Sequence, residues 1–147
     1  MPINTITEAR DEILLHFTTA WNAQTPPIPL LFYTDKHQDP PDDASYARIR
    51  VQHNIVDRVT VGGKKAQGGV GQRFRRFGIV TVQVFTISGG GQVASDVFVD
   101  VAVAAFEGQS TGSDRIEFRN ARSNEIGQDG PWYHVNVIAE FDYDKVV

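Results

Sequence analysis

The stretch RFRRFGIVTVQVFTI, from Arg73 to Ile87, decides the fold of this chain. It consists largely of β-branched and aromatic residues, a composition typical of a long strand within a sheet. The glycines Gly89 to Gly91 break this strand, and from Gln92 to Phe106 the apolar residues recur at the spacing of a helix. The sequence therefore predicts a strand, a sharp turn and a helix that packs back on the sheet.

The predicted helix from Gln92 to Phe106 is expected to pack on the sheet through one apolar face. The face consists of Val93, Val97, Val101 and Ala104, with Ala94, Phe98 and Ala105 beside them. Glu107-Gly108 is expected to end the helix.

Length and composition restrict the class of protein. The 147 residues are enough for one domain, and 41% hydrophobic with 22% charged residues is typical of a globular chain. The net charge of -4 argues against general nucleic-acid binding, and the absence of cysteine excludes disulfides and thiolate chemistry. No apolar run approaches the roughly 20 residues of a membrane span and no signal peptide is recognisable, so we expect a soluble protein made in a cytoplasm.

The remaining elements complete an α+β domain. Thr5 to Glu8 fits a capping box that begins an amphipathic helix, which Thr25-Pro26-Pro27 should stop. The predicted strands are Ile28 to Tyr33 at a sheet edge, Tyr46 to His53 continuing through Ile55 to Val61, Ile116 to Ile126 with a bulge, and Trp132 to Phe141 after a turn at Asp129-Gly130. We predict a mostly antiparallel or mixed sheet with two main helices packed on one face.

Charge is unevenly distributed along the chain. Between Arg58 and Ser95 all charged residues are basic, whereas Asp35 to Asp43 contains four aspartates and one lysine. Such segments suit head-to-tail contact between copies, although two separate solvated faces explain the same pattern. The candidate interface residues are Lys64, Lys65, Arg73, Arg75, Arg76, Asp39, Asp42 and Asp43.

Arg73 to Phe77 interleaves guanidiniums with aromatic rings, a pattern that suits either nucleic acid or a protein partner. Protein contact is favoured because outward arginines pair well with carboxylates of a neighbouring subunit. Strand alternation places Phe74 inward and Arg73 and Arg75 outward, and a bulge at Arg76-Phe77 is expected to restore the register. The glycine-rich segment from Gly62 to Gly71 is predicted to be a hairpin tip beside these arginines.

No motif indicates catalysis or a bound cofactor. The four histidines lack metal-ligand spacing, and the aspartates around His37 do not follow a calcium-loop order. Gly89 to Ala94 matches a G-x-G-x-x-A nucleotide pattern, but hairpin-linked strands leave no room for the repeated βαβ units of a dinucleotide fold. We therefore predict no catalytic residues, no metal and no cofactor, with a small nucleotide- or ligand-binding domain as the alternative from another class.

The order of these segments resembles the tail terminator, or tail-completion, proteins of long-tailed bacteriophages. The likeness covers nearly the whole chain. It is most specific in the arginine-glycine strand from Arg75 to Phe85 and in the closing hairpin from Gly130 to Tyr143, where Trp132-Tyr133 leads into Val135-Asn136-Val137. Thr34-Asp35 departs from the asparagine expected after the first strand, and the triple glycine is richer than usual.

The resemblance implies a structural virion protein at the head-proximal end of the tail, assembled in the host cytoplasm. It implies a homo-oligomeric ring, commonly a hexamer, that sits on the tail tube protein, stops tube polymerisation and offers a surface to the head-completion protein. DNA passes through such a ring without specific binding, and no membrane is involved. The alternative within the same class is a head-side connector of the same virus type.

Overall fold

The computed structural model describes residue 3 and residues 5–23, 30–32, 45–58, 73–87, 91–113 and 115–146. Its elements in chain order are α1 (Ile6–Asn22), β1 (Leu30–Phe32), β2 (Tyr46–Arg58), β3 (Arg73–Ile87), α2 (Gly91–Phe106), β4 (Glu117–Asp129) and β5 (Trp132–Val146). The described strands form one sheet in the order β1-β2-β3-β5-β4. The predicted α+β fold is confirmed.

The sheet is mixed through its edge strand alone. β1 pairs in parallel with β2 and lies at the edge, as predicted, while the other pairs of neighbours are antiparallel. β3 and β4 therefore run in the same direction with β5 between them, and α2 forms the crossover that connects them. β3 is the central strand, and it pairs along its whole length with β5.

Alternation divides the sheet into two faces. The inner face carries the even-numbered residues of β3 and the odd-numbered residues of β5, and register places Ile49, Val82 and Val137 side by side there. All three side chains are buried. The outer face carries the opposite set, for example Arg50, Thr81 and Ile138, on which charged and polar residues are common.

Both helices pack on the inner face, as predicted. α2 contacts β3, β4 and β5, and α1 contacts α2 and β2. The two helices meet through stacked rings, since Phe17 of α1 lies with its centroid 5.3 Å from that of Phe106 of α2. Phe118 of β4 joins this group at 5.0 Å from Phe106. The hydrophobic core thus lies between the helices and the inner face.

The first helix begins at its predicted cap. Thr5 has an extended backbone, and its hydroxyl accepts a hydrogen bond of 3.0 Å from the amide of Glu8. The buried residues of α1 are Ala9, Ile13, Phe17 and Trp21, which is the predicted stripe.

The packing face predicted for α2 is wrong at Val93, Val97 and Ala104, which are exposed. It is right at Ala105, which is buried, and at Phe98 and Val101, which pack against the core. Val93 and Val97 are 77% and 56% exposed, whereas the buried residues of α2 are Ser95, Val99, Ala102, Ala105 and Phe106. This helix is apolar on nearly every side, so residue spacing alone gives it no direction. Packing against the sheet and α1 determines which side is buried, and it leaves Val93 and Val97 exposed to solvent.

The predicted bulge at Arg76-Phe77 is also wrong. β3 pairs with β5 without interruption from Arg73 to Ile87, and the register shift lies on the neighbouring strand β2, between His53 and Ile55. Because β3 stays regular, Arg75 and Arg76 point to opposite faces.

The predictions for the last hairpin are confirmed. β4 contains the expected bulge, between Arg119 and Arg122, where Asn120 has a positive φ of 52°. Gly130 has a φ of 57°, which supports the tight turn into β5. The predicted hairpin at 62–71, the loop at 34–44, the helix stop at 25–27 and the turn at 88–90 lie outside the described residues.

Candidate assembly interface

The arginines of β3 do not form one site. Arg75 lies on the outer face, where its Nε donates to Asp144 Oδ1 at 3.1 Å. Arg76 lies on the inner face, in register with Tyr143. Of the other candidate residues, Arg73 is in register with Val146, and Lys64, Lys65, Asp39, Asp42 and Asp43 lie outside the described residues. The structure therefore separates two neighbours that the sequence analysis had grouped.

The outer face near the ends of β3, β4 and β5 carries a ladder of cross-strand ion pairs. Arg75 pairs with Asp144, and the further pairs are Arg119 with Asp142 at 3.3 Å and Arg122 with Glu140 at 3.9 Å. The three arginine side chains are 44 to 52% exposed. Exposed pairs of this kind contribute between about 0 and 1 kcal/mol each, so the ladder gives this face its charge pattern rather than its stability.

The opposite end of the outer face is aromatic. Tyr46 and Phe85 stack with centroids 4.7 Å apart, His134 stacks on Phe85 at 4.2 Å, and Trp132 meets Tyr46 edge-on at 5.7 Å. The Arg48 guanidinium lies 5.8 Å from the Phe85 ring centre. Although neither helix packs on this face, the rings of Tyr46, Phe85 and His134 are buried and Trp132 is partly exposed. Aromatic groups of this composition are common in protein interfaces.

On the inner face, four side chains from four elements form what we call the cationic cluster: Arg10 of α1, His53 of β2, Arg76 of β3 and Tyr143 of β5. The His53 Nε2 and the Tyr143 hydroxyl are 2.8 Å apart. Arg76 lies beside Tyr143 on the neighbouring strand, in direct register with it. Within the described chain no carboxylate forms an ion pair with Arg10 or Arg76.

The pKa shifts in the cluster agree with its positive charge. Burial lowers the pKa of His53, and the charges of Arg10 and Arg76 lower it further. Burial raises the pKa of Tyr143, although the two arginines oppose that effect. At neutral pH the imidazole is therefore neutral and the phenol is protonated, while both guanidiniums are charged.

The cluster cannot be recognised in the sequence because Arg10 and Arg76 are far apart in the chain. One signal was present, since His53 alternates with Ala47, Ile49 and Val51 and so had to share their inner face. The contribution of Arg10 depended on where α1 crosses the sheet.

A second polar group joins α1 to the segment between α2 and β4. Arg115 bridges two acids one helical turn apart, at 2.8 Å to Glu8 Oε1 and 2.7 Å to Glu12 Oε1. The hydroxyls of Ser113 and Thr111 donate to the two Glu12 oxygens at 2.6 and 2.9 Å. Burial alone would raise the pKa of Glu12, but the hydrogen bonds from Ser113, Arg115 and Thr111 together lower it. This carboxylate is held ionised by its donors, which suits a structural clamp.

An open cleft of about 480 Å³ lies beside this clamp, between α1 and the segment at Gly112-Ser113. Leu15 and His16 contribute to its wall. His16 Nε2 is already 2.7 Å from the Ala105 carbonyl, and both Glu12 oxygens have donors, so neither group is free to act as a general base.

Among the residues that the structure describes, no group of three or more histidine, aspartate or glutamate side chains is arranged to hold a metal ion. Neither described helix is long and apolar enough to cross a membrane.

Comparison with known protein families and with curated protein sequences finds no match. Sixteen chains of known structure do match this chain. One of them superposes with a TM-score of 0.61 at 18% identity, covering 91% of this chain and 94% of that one. Likeness at this identity shows a shared fold and no more. The name of that protein states no activity, ligand or partner.

Proposed function

We propose that this chain is a structural virion protein of the tail terminator type, which forms a ring on the end of a phage tail tube. The ring ends tube polymerisation and presents a surface to the head-completion protein. The observation that carries this proposal is the outer face of the sheet, which neither helix covers and which combines the ion-pair ladder with the aromatic group.

This face suits contact between protein subunits. Strands of 13 and 15 residues extend for roughly 45 to 50 Å, so the face is long enough for a substantial interface. Its charges are fixed by cross-strand pairs, and such fixed charges select a partner and its register more than they add affinity. The choice of a ring on the tail tube, rather than another assembly, rests on the resemblance of the segment order to that of tail terminators.

The ring is tested by the mass of the protein in solution, measured by light scattering over a range of concentrations, alone and with purified tail tubes. A closed ring, or a monomer that assembles on tube ends, is the expected result. A protein that stays monomeric with tubes and binds neck or capsid complexes instead would replace the terminator function with that of a head-side connector. A protein indifferent to both would overturn the proposal.

A matched variant locates the contact. Replacing Thr81 at the centre of the outer face by arginine adds bulk where neither helix packs, so the fold should survive. Loss of tube binding with an unchanged melting temperature is expected. The control is Thr19→Arg on the exposed side of α1, which should assemble as the wild type does.

A further inference from the structure

We infer that the cationic cluster of Arg10, His53, Arg76 and Tyr143 is a receptor for a carboxylate from a second copy of this chain. This inference rests on the proposed ring and names one of its contacts. The copy would supply the acidic segment that contains Asp39, Asp42 and Asp43.

The hydrogen bonds of the cluster leave donors unsatisfied. The protonated Tyr143 hydroxyl is placed to donate to His53 Nε2, 2.8 Å away. The neutral imidazole then carries its proton on Nδ1. That nitrogen is buried without a hydrogen-bond partner, and so is the Nε of Arg76. Buried N–H groups without acceptors are costly, so two of them in one cluster indicate that an acceptor is absent.

The charge of the cluster specifies what that acceptor is. Two guanidiniums lie on one side of the sheet, and Lys145 follows Tyr143 on the same face, two residues further along β5. A neutral acceptor would satisfy the N–H groups but leave the positive charge uncompensated. A carboxylate satisfies both, and it forms strong, charge-assisted hydrogen bonds with arginine.

The carboxylates of the outer face are poor candidates for this role. Glu140, Asp142 and Asp144 already pair with arginines of their own sheet. The segment from Asp35 to Asp43 has four acids against one lysine, and therefore has negative charge to spare. Contact between this segment on one copy and the cluster on the next joins two different surfaces. Such a heterologous contact closes into a ring when the rotation per copy allows it.

The experiment measures ring formation by native mass spectrometry and tube capping by electron microscopy. Arg76→Glu and Arg10→Glu should each reduce assembly at least tenfold, because they repel the incoming acid. Thr19→Glu is the control, since it adds a negative charge on the exposed side of α1 opposite Arg10 and should leave the ring intact. Arg10 is exposed on α1, so its variant remains informative if Arg76→Glu does not fold.

A charge exchange identifies the partner. Combining Arg10→Glu and Arg76→Glu with Asp39→Lys, Asp42→Lys and Asp43→Lys in one chain reverses both surfaces, and assembly should return to within a few-fold of the wild type. If the single variants abolish rings and the charge exchange does not restore them, the acidic segment is not the partner of the cluster.

Two further results separate the possibilities. If the wild type forms rings and both glutamate variants do so equally well, the carboxylate receptor is wrong and the proposed ring stands. If the wild type forms no ring, either alone or on tubes, both fall. Stabilisation of the wild type, but not of Arg76→Glu, by millimolar inorganic phosphate, together with unaffected rings, would assign the cluster to phosphate and overturn the inference.

Discussion

The inner and outer faces of the sheet are built from alternate residues of the same strands, yet they differ in burial and in function. Val80, Val82 and Val84 of β3 are completely buried under the helices, while Ile79, Thr81 and Gln83 between them remain partly exposed. Burial of apolar area dominates folding stability, so the inner face determines whether the domain folds. The outer face buries a smaller set of rings at one end, including Tyr46 and Phe85, and its partly exposed centre can contact other molecules.

The difference is sharpest where charge enters the inner face. On the outer face Arg75 has Asp144 as its partner, whereas on the inner face Arg76 lies beside Tyr143 and its Nε is buried without a hydrogen-bond partner. An arginine without a carboxylate is a cost on the inner face that the outer face, exposed to water, does not have. This contrast is why we assign the inner cluster, and not the ladder, to a receptor.

The largest effect is expected from Phe106, which joins both helices to the inner face. Phe106→Ala removes a fully buried ring that stacks on Phe17, and it should lower the free energy of unfolding by about 4 kcal/mol. Val93→Ala, at an exposed position of the same helix, should change it by less than about 0.5 kcal/mol. Urea unfolding followed by circular dichroism measures both. If both variants lost the same free energy of unfolding, the assignment of the buried and exposed sides of α2 would be wrong.

A smaller but still substantial effect is expected at Gly78, where the inner face admits no side chain. A Cβ there would clash with both the Phe141 ring and the backbone oxygen of Gln52. Gly78→Ala should therefore cost about 2 to 3 kcal/mol of stability, because backbone cannot move as a flexible side chain can. Gly112 has no atom within 4 Å of its Cβ position and provides the control in the same unfolding assay. A Gly78 variant as stable as the Gly112→Ala variant would show that this end of the sheet is loosely packed.

The smallest effect concerns the two kinds of ion pair. Glu12→Gln weakens the clamp to Arg115 and should cost about 1 to 2 kcal/mol at neutral pH. Because the folded-state pKa of Glu12 lies below its ordinary value of 4.5, its contribution is complete above that value and is lost as the pH falls through the folded-state pKa. The difference between variant and wild type should therefore shrink on acidification.

Thermal melts between neutral and acidic pH provide this measurement. Arg75→Ala is the control from the exposed ladder and should change stability by less than about 0.5 kcal/mol. A constant difference between Glu12→Gln and the wild type down to the most acidic condition would contradict the lowered pKa.

Much of the fold was predictable because its signals are local. The Thr5 cap, the stripe of α1, the alternation of β2 and β5 and the turn at Gly130 each depend on residues close together in the chain. The buried side of α2 was not predictable from the sequence. The helix has valines on its exposed side and Ser95 on its buried side, so hydrophobicity does not indicate which side packs on the sheet.

The candidate site was predictable only in part. The basic character of β3 was clear from the sequence, but the assignment of Arg75 and Arg76 to one surface failed since the bulge lies in β2. A shift of one residue on either strand exchanges the faces of every residue beyond it.

Local patterns in the sequence are enough to define the fold class: an α+β domain with β3 at its centre, two helices, and opposite charges on separate segments. They do not show which arginine faces water and which joins Arg10, His53 and Tyr143. Periodicity sets the alternation of side chains within an element, whereas the partners of those side chains come from elements distant in the chain. Long-range packing selects those partners.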